Sequence, residues 1–167
     1  MGSRQDLRLP QLPLDSPERK RLPPLLRRAW YSLNQAFRRR TAHLEITPDQ
    51  FTVMRTLLEH DGSTQRELTQ LMSSDPNTIA SLLERMETAG LLVRKSHEKD
   101  RRANRLHLQP AGKRRYEEAR EIALALQKEV LSVVPEDQRE AFLAHLGLVA
   151  DACLVSAQNS PKKRVER

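Results

Sequence analysis

One cysteine, Cys153, is all that 167 residues carry, which excludes an internal disulfide and any Cys-x-x-Cys metal or redox pair among them. Five glycines form no phosphate-cradling Walker loop, and the chain has no G-x-S-x-G elbow and no recognisable frame of paired carboxylates. The five histidines, His43, His60, His97, His107 and His145, are scattered, with no i,i+4 pair and no cysteine at ligand spacing. These absences predict a non-enzyme with no catalytic residue, no metal and no cofactor. No apolar run approaches the roughly 20 residues that cross a bilayer, and the N-terminal MGSRQDLRLPQLPLDSPERKR lacks the apolar stretch of a signal peptide. The expectation is a soluble, cytoplasmic protein with no membrane partner. No repeat occurs at solenoid periods.

Positive charge is what the chain has in excess. Twenty-nine Lys and Arg against 22 Asp and Glu give a net charge of +7, and the sequence pI is near 10.1. Such a field attracts polyanions and raises encounter rates with them, with nucleic acid the first suspect and an anionic membrane surface the second.

Residues 1–23 are rich in proline and charge and bury little apolar area, the composition of an arm rather than a core. From Pro24, Leu26, Trp30, Leu33 and Phe37 recur at helical spacing, predicting a helix to about Ala42. Thr47-Pro48-Asp49-Gln50 is a capping box that opens a second helix through Leu58, ended by Asp61-Gly62. Thr64-Gln65-Arg66-Glu67 opens a third, short helix, and Ser73-Ser74-Asp75-Pro76 a fourth, which runs through Ile79, Leu82, Leu83 and Met86 to Gly90. Two short helices joined by a few residues, the second amphipathic and stopped by glycine, have the form of a helix-turn-helix.

Leu91-Leu92-Val93 and Leu106-His107-Leu108 are strand candidates flanking the charged stretch HEKDRRANR, which predicts a hairpin with a long basic tip, a wing. Pro110-Ala111-Gly112 begins a long helix whose stripe includes Tyr116, Ala119, Ile122, Leu126 and Val130. Pro135 breaks it, and a last helix carries Phe142, Leu146, Val149 and Cys153. The fold class expected is mainly α with a small β-hairpin: a winged helix-turn-helix with N- and C-terminal dimerisation helices.

An α-helix fits the major groove of duplex DNA and presents its early residues to base edges. Ser74, Asn77, Thr78, Ser81 and Arg85 are the candidates on the fourth helix. Arg101 and Arg102 fit a narrow, electronegative minor groove, with Asp100 orienting a guanidinium.

These residues together resemble the MarR (multiple antibiotic resistance regulator) family of winged-helix transcription factors. ITPDQFTVM, STQRELTQLMSSDPNTIASLLERMETAGLLVR and DRRANRLHLQPAG carry the resemblance, which covers about Pro24 to Ser156. It implies a homodimer on a pseudo-palindromic double-stranded operator, with recognition helices in successive major grooves. It also implies a repressor released by a small aromatic or phenolic anion. The divisions it implies are an arm (1–23), an N-terminal dimerisation helix (24–46), a DNA-binding domain (47–109), C-terminal dimerisation helices (110–158) and a basic tail (159–167), in a protein associated with the nucleoid. Ala80 and Ser81 stand where many members have a hydroxyl and a basic or amide residue. Gln109 replaces the usual threonine before the helix that follows the wing. Both changes shift expected specificity toward the wing and DNA shape.

Trp30, Asn34, Phe37, Arg38 and His43 are the candidates for an effector pocket, against a reading of them as dimer core with solvated arginines. Cys153, on the apolar stripe of the last helix, is expected to be an inert buried thiol. An alternative function for the whole chain is a winged-helix interaction module docking an acidic protein partner.

Overall fold

A computed structural model describes residues 21–97 and 100–160, and side chains at all of these except 97 and 100–103. Most of the expected arm, up to residue 20, and the tail from 161 lie outside them. The described chain is largely helical, with one antiparallel hairpin. It divides into two compact units, 1–36 and 37–167.

The first unit holds the larger part of helix α1 (Leu22–Arg40). It presents Leu22, Leu25, Trp30, Tyr31 and Leu33 to solvent, with only Leu26, Asn34 and Ala36 half-buried.

In the second unit, α1 ends at Arg40, two residues before the expected stop, and Ala42–Leu44 form a separate 3₁₀ turn. The break follows from local bonding: the buried Thr41 hydroxyl donates to the Phe37 carbonyl at 2.9 Å, and Glu45 adopts a left-handed conformation with φ +52°. Helix α2 (Pro48–Glu59) opens on the predicted capping box, in which Gln50 N–H donates to Thr47 Oγ1 at 3.2 Å while Gln50 Oε1 accepts from Thr47 N–H at 2.9 Å. Helix α3 (Gln65–Leu71) has the same device at Thr64 and Glu67. Helix α4 (Pro76–Thr88) is capped by Asp75. Gly90, at φ +68°, ends it, letting Leu91 N–H reach the Met86 carbonyl and Gly90 N–H the Glu87 carbonyl.

The hairpin differs from expectation. Strands β1 (Leu92–His97) and β2 (Asp100–Leu108) run antiparallel through most of the charged stretch, so Arg101 and Arg102 belong to a strand rather than a long loop. Poor strand formers such as Lys95, Asn104 and Arg105 are held there by the ladder itself, and the register shifts only between Ser96 and His97. Thr64 adds a single bridge to Arg105 on the far edge of β2.

The core of this unit is assembled from Val53, Met54 and Leu57 of α2, Leu68 of α3, Ile79, Leu82, Leu83 and Met86 of α4, and Leu91, Leu92, Leu106 and Leu108. Helix α5 (Pro110–Leu131) contributes Ala119 and Leu126. Its first turn sits so close to the hairpin that a Cβ on Gly112 would lie 2.2 Å from the Leu91 carbonyl oxygen. Gln109 stands at its N-cap with no side-chain hydrogen bond. Phe37 packs against Phe51 at 5.1 Å between ring centroids, and Phe51 stacks on Tyr116 at 5.3 Å.

Helix α6 (Arg139–Asn159) follows a 3₁₀ turn at Glu136–Gln138, where the Arg139 guanidinium donates to the carbonyls of Leu131 and Val134. None of its residues is buried. Two expectations are corrected here. Cys153 is exposed, because no element among the described residues covers that face. The segment Glu136–Asn159 contains an 18-residue window of mean hydropathy 1.5, which by length and composition alone is apolar enough to cross a bilayer.

Candidate nucleic-acid interface

The reading unit is α3, a tight turn, and α4. Glu67 Oε2 accepts from the Thr64 amide at 2.7 Å and hydroxyl at 2.9 Å, and the Thr64 amide, then its hydroxyl, holds the Glu67 carboxyl below its ordinary range. The turn places Ser73 at φ +49°, a left-handed conformation that non-glycine residues adopt at a cost. Ser74 N–H donates to the Thr69 carbonyl, and Ser74 is half-buried in this corner.

At the start of α4, Asp75 Oδ1 accepts from Asn77 N–H at 3.0 Å and Thr78 N–H at 2.9 Å. The Thr78 hydroxyl and amide hold the Asp75 carboxyl below the usual carboxylate range. With those two amides satisfied, the helix start offers less to a phosphate than an uncapped terminus would. Asn77, Thr78, Ser81 and Arg85 are all exposed, on the side of α4 opposite the buried Ile79, Leu82, Leu83 and Met86. The structure therefore brings four of the five residues predicted there onto one solvent-facing edge, while Ser74 stays half-buried in the turn. Arg85 Nε–H donates to the Ser81 carbonyl at 3.2 Å, which lays its stem along the helix and leaves the guanidinium head at the surface.

Asp100, Arg101 and Arg102 fall on β2, but their side chains lie outside the described residues. Among the effector candidates, Phe37 is buried in aromatic packing, Arg38 and His43 are exposed, Asn34 is half-buried and Trp30 is 67% exposed. A shallow, open depression lined by His60, Asp61, Ser63, Gln70 and Leu71 contains none of the five.

Sequence reasoning passed over the groups that fix the wing to the reading unit. Arg94 on β1 donates to Glu87 Oε2 at 3.1 Å and Gln65 Oε1 at 3.2 Å. Arg105 on β2 donates to the Gly62 carbonyl at 3.0 Å and lies 3.4 Å from Glu67 Oε2. His107 Nδ1 is 3.1 Å from both Asp61 oxygens. The signal for Arg94 was present: period-two alternation sets it on the same face of β1 as Leu92, a core position.

Comparison with known proteins gives a consistent picture. Residues 46–103 match the MarR family. The transcriptional regulator HosA of Escherichia coli is 28% identical over 124 residues, spanning 71% of this chain and 92% of HosA. Among solved structures, the transcriptional repressor CouR bound to a 23-mer DNA duplex superposes with a TM-score of 0.70 at 27% identity, covering 75% of this chain and 89% of CouR. BpsR of Bordetella bronchiseptica, whose DNA binding is regulated by 6-hydroxynicotinic acid, shares the fold at TM-score 0.73 and 23% identity, over 79% of this chain and 94% of BpsR.

Proposed function

Starting from a chain that belongs to the MarR family of winged helix-turn-helix DNA-binding transcriptional regulators, we propose that it works as a homodimeric repressor. Each protomer presses α4 into a major groove of a pseudo-palindromic operator and lays its hairpin over the neighbouring minor groove. The observation that carries this reading is the exposed edge of Asn77, Thr78, Ser81 and Arg85 on a helix whose opposite face is fully buried. A helix so rooted cannot roll, so its polar edge meets base edges in one fixed orientation. In this reading Arg101 and Arg102 supply minor-groove charge, and Asp100 orients one of them.

Dimerisation is supported by α6. It exposes Phe142, Leu143, Leu146, Leu148, Leu154 and Val155 on a helix with no buried residue, more apolar surface than a monomer in water ordinarily leaves open. A twofold copy covers that face and sets two α4 helices about one duplex turn apart. Release by a small aromatic anion follows from the family resemblance and is the finer part of the proposal.

The test is a titration of the full chain against its own upstream DNA and against random duplex of equal length at matched salt, repeated with aromatic carboxylates. Specific regulation predicts an affinity ratio of ~10³ or more. A ratio near one removes the operator reading and leaves the docking of an acidic protein as the better account of the basic surface. An operator preference that aromatic carboxylates leave intact removes the effector.

A further inference from the structure

We infer that Arg94 is a positioning residue for DNA binding, a strut that sets the angle between the wing and α4; the inference rests on the DNA-binding reading above. The observation is one guanidinium shared by three elements. Arg94 stands on β1, Glu87 in the last turn of α4, and Gln65 is the first residue of α3. The Arg94 Nε–H donates to Glu87 Oε2 at 3.1 Å and an Nη1–H to Gln65 Oε1 at 3.2 Å.

The direction of the side chain excludes the commoner role of a wing arginine. Arg94 faces Leu106 across the ladder and shares its face of β1 with Leu92, both buried, so its stem leaves the hairpin on the inner side. Its side chain is 25% exposed, and its Nε–H and an Nη1–H are both given to protein oxygens. A phosphate-binding arginine needs a free fork on the outer surface.

The strut also spans the joint where the angle is decided. Between α4 and β1 the backbone passes through Gly90, at φ +68°, and no atom lies within 4 Å of where its Cβ would be. Leu91 and Leu92 root the near end of β1 in the core. Beyond them the Arg94–Glu87 pair ties β1 to α4 across the glycine, while Arg105 and the Thr64 bridge hold β2 to the start of α3. Half-exposed ion pairs add little to stability, so the worth of this one lies in geometry. Arginine suits the role because its planar fork holds two acceptors in fixed directions, which a lysine ammonium does not.

The experiment measures the ratio of affinities for the protein's own upstream DNA and random duplex, in the full-length chain and in Glu87→Gln and Arg94→Lys. A wild-type ratio near one overturns the DNA-binding reading itself and is recognisable as such. Given a wild-type preference, Glu87→Gln is expected to lower the ratio about tenfold, and Arg94→Lys, which keeps the charge, at least about fivefold. The double variant is expected to lose no more than the worse single one, the mark of two groups acting as one unit. A bystander carboxylate behaves oppositely, because its removal tightens binding to both duplexes alike. An unchanged ratio in both variants, or an equal loss on both duplexes with a salt slope reduced by about one, overturns the strut. Thermal melting close to wild type certifies that each variant is folded.

Discussion

Leu83 on α4 and Leu148 on α6 are the same residue on two helices of one chain, yet Leu83 is 0% exposed and Leu148 66%. Around Leu83 every level of the sequence agrees. The helix is capped by Asp75, stopped by Gly90, and its apolar stripe meets α2, α3 and the hairpin. Around Leu148 the helix is equally regular, but none of its residues is buried among the described residues. A winged domain that closes on itself can hold a reading helix steady, whereas a helix that does not close specifies a partner.

The sharpest way to break the self-contained region is at Gly112. Its pro-Cβ position is 2.2 Å from a backbone oxygen that also accepts from Gln109, so neither side can yield by rotating a side chain. Gly112→Ala is expected to cost about 3 kcal/mol or more in urea unfolding and to detach the start of α5 from the hairpin. Leu83→Ala, a cavity in the same core, is expected to cost about 3 kcal/mol. Leu148→Glu sets the contrast: far-ultraviolet circular dichroism is unchanged, while self-association measured by sedimentation equilibrium weakens at least about tenfold. Unchanged sedimentation would show that α6 is not where copies meet.

The two regions were also unequally legible. Thr47, Thr64 and Asp75 announce helix starts through bonds made within three residues, and Pro76 and Gly90 mark a start and an end by the backbone angles they fix or allow. The hairpin was shortened in the sequence reading because Lys95, Asn104 and Arg105 are poor strand formers, and their pairing is imposed from across the ladder. Arg94 reads as one more surface cation until its partner, seven residues back on another element, is known. Cys153 lies on a helix that is apolar around most of its circumference, but such a composition reports that a surface wants cover and does not say which chain supplies it.

A smaller effect separates caps from core. Thr64→Ala removes the hydroxyl that receives the Glu67 amide at 3.2 Å, and is expected to cost about 1 kcal/mol by thermal melting, with the helix itself retained. A loss as large as that of Leu83→Ala would show that the α3 start belongs to the core energetically.

The smallest expected effect is in the acid limb of the stability curve. Asp75 and Glu67 both have folded carboxyl pKa values below their ordinary range, set by hydrogen bonds at Thr78 and Thr64. A depressed folded value means that the unfolded chain takes up the proton first as acid is added. Their contribution is complete above the ordinary carboxylate range, around pH 4, and drains away as the pH falls through the folded values. Melting temperature should therefore be insensitive to these two groups between pH 7 and 5 and fall more steeply below. Asp75→Asn isolates one of them, because asparagine accepts the same Asn77 and Thr78 amides but carries no titrating proton. The variant should match wild type near pH 3.5 more closely than at pH 7. If the two curves stay parallel down to pH 3, the cap at α4 holds by shape alone and the charge on Asp75 has no part in it.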